Sequence, residues 1–199
     1  YGIKLTLEAL RQSGAFNLAA RAILATIATF VFFEILPHFP VGVSEVHFIL
    51  GSTLFLIFGV APAAFGLAAG LLIQGLFFAP IDLPQYFMNL TSLLVPLFAL
   101  SVIAKAVIAP NTAYADLSYR QALMLSTSYQ AGVVGWVAFW VFYGQGFGAE
   151  TFASVGLFGM AYMSVIILEP VVDLAVLALA KMMRDTPASG LMQPRVYSA

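Results

Sequence analysis

Long apolar runs separated by short polar breaks organise the chain, and their lengths predict membrane-spanning helices. The first run covers about residues 18–36 and is closed by Pro37. The second, from Val46 to about Gly59, is short: roughly 14 residues give about 21 Å of helix, less than the ~30 Å of a bilayer's hydrocarbon core. After the turn Val60-Ala61-Pro62, a third run spans about 63–79 and a fourth about 88–109, with a kink expected at Pro96. The fifth covers about 121–143. The sixth covers about 151–181, interrupted at Glu169-Pro170. Residues 1–17 mix Lys4, Glu8 and Arg11 with Ile3, Leu5, Leu7 and Leu10, a loosely amphipathic pattern that predicts a helix on the membrane surface. Residues 182–199 are polar and contain Pro187 and Pro194, so they read as a fraying tail. The pattern predicts an all-α integral membrane protein: one bundle of about six transmembrane helices over 18–181, flanked by a surface segment and a tail.

Composition strengthens that reading and removes others. Of 199 residues, 62% are hydrophobic and 9% charged, against about a quarter charged in a soluble domain. So few charges cannot cover a water-facing surface, and the length leaves no room for a separate soluble domain. With a net charge of −1 and no basic patch, nucleic-acid binding is excluded. The absence of cysteine excludes disulfides and iron–sulfur ligation. Two histidines are too few for a di-haem cytochrome with four histidine ligands. No nucleophile elbow, zinc-protease helix, phosphate loop or dinucleotide fingerprint is present, so the chain reads as a non-enzyme with no permanently bound cofactor.

Charge distribution orients the bundle. Lys4, Arg11, Arg21, Lys105, Arg120, Lys181, Arg184 and Arg195 fall in or beside the N-terminal segment, the loop after the fourth run and the tail. The breaks at 37–46, 80–88 and 144–150 contain no basic residue. The positive-inside rule then places both termini in the cytoplasm, and His38, Glu45, His47, Asp82 and Glu150 outside, with Glu34 near the outer end of the first span.

The candidate chemistry gathers on the outer side. The polar loop 37–46 and the residue that follows it hold both histidines, His38 and His47, together with Glu45. Because the second run is short, either His47 lies below the membrane surface or the loop dips back into the bundle; both put His47 inside the bundle mouth. Histidines with nearby carboxylates suit a divalent transition metal. The alternative is polar residues solvated at the interface. Gln74 shares a helix face with Gly66 and Gly70, a small-xxx-small pair that admits another helix. Gln74 and Asn89 either support the histidine loop by hydrogen bonds or join helices to one another. Glu169 and Asp173, four apart and hence on one face, form a proton or cation relay, or else mark a kink whose freed backbone groups need partners.

Three segments carry a family resemblance: Val43-Ser44-Glu45-Val46-His47-Phe48-Ile49-Leu50-Gly51, Leu72-Ile73-Gln74-Gly75-Leu76-Phe77-Phe78 and Phe87-Met88-Asn89-Leu90-Thr91-Ser92. Their order and spacing resemble the CbiM/NikM family, the substrate-capture membrane subunits of cobalt and nickel energy-coupling-factor transporters. The resemblance implies a bacterial inner-membrane permease subunit that takes Co2+ or Ni2+ as substrate, with His47 in the position of the family's loop ligand. It also implies partners: the lipid bilayer, a transmembrane coupling subunit and two cytoplasmic ATPases. The family opens with a Met-His-Ile segment that completes a square-planar metal site, followed by a further span; residues 1–199 contain neither. Either a preceding portion supplies them, or the chain is an accessory subunit of a larger respiratory or photosynthetic membrane complex that keeps the fold without carrying metal.

Overall fold

In a computed structural model, described over residues 2–198, the chain is helical almost throughout. Helix α1 (Gly2–Phe30) leaves helical geometry at Gly14, whose φ of 75° favours glycine. Beyond Phe30 the backbone widens into a π turn, Val31–Ile35, and ends at Leu36. Strands β1 (Phe39–Val41) and β2 (Ser44–Val46) follow. Then come α2 (Gly51–Phe58), α3 (Val60–Phe77), a 3-10 turn over Pro80–Gln85 and α4 (Tyr86–Val107). A 3-10 turn over Tyr114–Asp116 leads into α5 (Tyr119–Gln145) and α6 (Ala149–Ser164). A 3-10 turn over Val165–Ile167 precedes α7 (Glu169–Met182), and short turns over Pro187–Leu191 and Pro194–Val196 complete the chain.

Four helical stretches among the described residues are long and apolar enough to cross a membrane: Gly2–Ile35, Val60–Phe77, Pro80–Val107 and Ala149–Met182. Their outer faces carry exposed apolar side chains such as Ile27, Phe65 and Val102, as lipid contact requires. The protein is therefore an all-α membrane protein, with one small hairpin. α5 has the length but a more polar composition, because Ser126, Tyr129 and Gln130 sit on its buried face. Its start is fixed by a capping box, with Ser118 Oγ accepting from the Gln121 amide and Gln121 Oε1 from the Ser118 amide.

Packing explains the glycines. A Cβ at Gly66 would lie 2.4 Å from Ala25 Cβ, and one at Gly70 would lie 2.6 Å from Thr29 Cγ2. The helix admitted by the small-residue face is α1. α4 continues through Pro96 as one helix, and Pro96 packs where Gly132 of α5 leaves space for it.

Three expectations need correction. The loop 37–46 is an antiparallel hairpin pairing Phe39 with Val46, Pro40 with Glu45 and Val41 with Ser44. Its two-residue turn places Gly42 at φ 62°, the geometry tight hairpins favour. The second apolar run is not a spanning helix: residues 47–50 are in neither helix nor strand, and α2 has eight residues, seven of them buried. It is hydrophobic all round because protein surrounds it on every side. The tail does not fray. Gln193 N donates to Ile57 O at 2.8 Å, Gln193 Nε2 donates to Phe55 O at 2.8 Å and Leu56 O at 2.5 Å, and Val196 is fully buried. A helix end buried in the bundle needs partners for its last carbonyls, and the tail supplies them.

Candidate functional site

The hairpin closes over one end of the bundle. Its turn rests on α6 so closely that a Cβ on Gly42 would meet the Ser154 carbonyl oxygen at 2.4 Å. Behind it lies a cavity of about 370 Å³, lined by His47, Glu45, Gln74, Asp82 and Asn89 together with Tyr162. Five of the residues singled out from sequence thus meet at one place, contributed by β2 and the residue after it, α3, the following 3-10 turn and α4. Gln74 and Asn89 line the cavity without a hydrogen bond to the histidine loop among the described residues; Gln74 is buried near the end of α3.

The hairpin also brings the two histidines together. Their rings stack at 5.3 Å between centroids, 25° from parallel, and Phe33 meets the His47 ring edge-on at 5.0 Å. His47 Nε2 lies 3.2 Å from Glu45 Oε2, whereas the enclosed Nδ1 has no hydrogen-bond partner among the described residues. His38 Nδ1 lies 3.3 Å from the Leu36 carbonyl, and His38 stands behind His47 rather than on the cavity wall. At neutral pH an imidazole is mostly uncharged and keeps one lone pair for a Lewis acid, and Glu45, beside Nε2, fixes the orientation of the ring. Among the described residues, no three histidine, aspartate or glutamate side chains cluster closely enough to hold a metal ion by themselves. Glu34 lies in the π turn, half-buried and away from the cavity lining.

Glu169 and Asp173 are not at the cavity. Both are fully buried at the start of α7, where they hold the beginning of α2. Glu169 Oε1 accepts from the Leu50 amide at 3.2 Å and from Gln130 Nε2, and its Oε2 accepts from Ser126 Oγ at 2.6 Å. Asp173 accepts from Ser52 Oγ at 2.9 Å and from Thr53 Oγ1. A helix that starts inside a bundle exposes unpaired amides and a partial positive charge, and carboxylates answer both. Neither sequence reading named these partners: the one backbone group bonded is the Leu50 amide ahead of α2, and the other donors are the side chains of Ser52, Thr53, Ser126 and Gln130. The hydroxyl and amide partners escaped the sequence reading. Their trace was the Ser126/Gln130 spacing of four and the Ser52-Thr53 pair at the start of a buried helix. Leu50, at φ 50°, is the one non-glycine described residue in left-handed geometry, and it lies three positions after His47. The brace on α2 therefore also fixes how deep the histidine segment sits.

No curated protein and no solved structure matches the chain. A family described as cobalt uptake substrate-specific transmembrane region, CbiM, matches it over residues 3–186. That span takes in the hairpin, the cavity and the brace, and by it the chain belongs to the CbiM family, whose members are transport components rather than enzymes.

Proposed function

We propose that this protein captures a divalent cobalt ion from the outer side of a bacterial inner membrane, as the substrate-binding subunit of an energy-coupling-factor uptake system that also accepts nickel. One observation carries the proposal. His47, oriented by Glu45, lines the same cavity as Asp82, Gln74 and Asn89. In this reading the imidazole is the nitrogen ligand, the carboxylates draw the cation into the cavity, and water completes the coordination sphere. The bundle crosses the membrane six times with both termini cytoplasmic. The second crossing is made by residues 47–50 and α2, and the basic residues gather at the end away from the hairpin. Transport energy comes from cytoplasmic ATPases through a transmembrane coupling subunit.

The test is Co2+ binding to purified wild-type protein and to His47→Ala, by calorimetry and by cobalt absorption, with uptake measured in cells expressing the partner subunits. His47→Ala is expected to lose saturable binding and uptake while remaining folded. Wild-type affinity in that variant overturns the assignment. One observation favours a second reading: the described side chains bring no three metal-binding groups together, as in an accessory subunit of a larger membrane complex. Co-purification with respiratory or photosynthetic subunits in place of an ATPase pair selects that reading.

A further inference from the structure

The opposite end of the bundle contains a second, open-mouthed cavity of about 420 Å³, lined by α1, the start of α3 and the returning tail. Two guanidinium groups line it, from Arg21 and Arg195, with Glu8 as the one acidic side chain among the described residues. Arg21 is only 4% exposed. Its hydrogen bonds run to neutral acceptors: Asn17 O at 3.3 Å, Phe58 O at 3.2 Å and Ser13 Oγ. No carboxylate among the described residues pairs with it, and Glu8 lies 3.8 Å from Lys4 instead. Arg195 likewise binds a carbonyl, Ala109 O at 3.2 Å, and stands over the Tyr114 ring.

A buried cation without a counter-charge is costly, and the described residues around Arg21 supply only dipoles. A guanidinium has five N–H donors, and Arg21 directs three hydrogen bonds to protein, so donors remain. The first turn of the 18-residue α3 borders the same space: its N-cap is Gly59, with no capping side chain, and Pro62 brings no amide. The amides of Val60 and Ala61 and the positive end of the helix dipole therefore add to the two arginines. Arginine forks, free amides and an open-mouthed cavity of ligand size are the features that recognise a phosphate group.

We propose that this cavity binds a net-anionic phosphate group, held by Arg21, Arg195 and the start of α3. The surrounding membrane offers one as an anionic phospholipid headgroup, since this end carries the basic residues of α1, the tail and the loop after α4, and such residues face the leaflet rich in anionic lipid. Occupation supplies the missing counter-charge to Arg21 and ties the tail, and hence the end of α2, to α1.

The experiment titrates purified full-length protein in neutral detergent with dihexanoyl phosphatidylglycerol, dihexanoyl phosphatidylcholine or inorganic phosphate, reading the unfolding midpoint and bound ligand by native mass spectrometry. Phosphatidylglycerol is expected to raise the midpoint saturably at one site, with phosphatidylcholine at least about tenfold weaker. Arg195→Gln weakens the effect about tenfold, Arg21→Gln abolishes it, and Glu8→Gln strengthens it. An equal effect from inorganic phosphate keeps the site and makes free phosphate its source. If Arg21→Gln does not fold, the Arg195 and Glu8 variants decide. Equal binding of the two lipids with no effect of phosphate overturns the proposal, as does wild-type binding in both Arg195→Gln and Glu8→Gln.

Discussion

Replacing Glu169 with alanine removes the acceptor for three buried donors at once: the Leu50 amide, Ser126 Oγ and Gln130 Nε2. The Ser126 hydroxyl can rotate toward another acceptor. The Leu50 amide cannot, because it belongs to backbone enclosed by protein just ahead of α2, and the Gln130 amide is fully buried. An unsatisfied buried donor costs about 1–3 kcal/mol, so two of them set the expected loss at roughly 2–6 kcal/mol. Glu169→Gln keeps one oxygen for the Leu50 amide and is expected to cost about half as much. Denaturant or thermal unfolding in detergent, followed by helical circular dichroism, measures the difference. The same variants test the link to the site: His47 is anchored three residues before Leu50, so Glu169→Ala is expected to weaken Co2+ binding more than Glu169→Gln does. If Glu169→Ala unfolds within about 1 kcal/mol of the wild type, the carboxylate does not brace α2 and the reasoning fails.

Gly66→Ala places a methyl 2.6 Å from the Ala25 carbonyl carbon, so α1 and α3 must separate and the unfolding midpoint should fall; Gly135→Ala, with open space around it, serves as the neutral control. Gln193→Ala strips the carbonyls of Phe55 and Leu56 of their side-chain donor and should cost about 1–3 kcal/mol. Limited proteolysis should then cut the tail before the bundle, and a tail as resistant as the wild type's would refute the capping role.

Much of the site was legible because topology and charge are local properties summed along a chain. Runs of apolar residues determine where helices cross, and the absence of lysine and arginine from alternate breaks places His47, Asp82 and Asn89 at one end together. Spacing of four along a helix likewise puts Gly66, Gly70 and Gln74 on one face, and that face is the one packed against α1 and open to the cavity. What such patterns do not contain is the identity of a distant partner. Glu169 answers the amide of a residue 119 positions earlier, and Gln193 the carbonyl of one 138 positions earlier. A buried carboxylate or a tail glutamine reads the same in sequence whether it serves a proton path, a kink or a helix end elsewhere.

The hairpin shows the same division. Gly42-Val43 between short strands is a turn signal, but six strand residues are marginal alone and persist because the turn rests on α6. By itself, then, the sequence determined an apolar bundle with its polar, histidine-bearing breaks gathered at one end, since hydrophobicity and charge act position by position. Only the tertiary structure decided that the second apolar run enters as a short helix tied at both ends. Backbone groups buried away from water must find partners wherever the fold provides them.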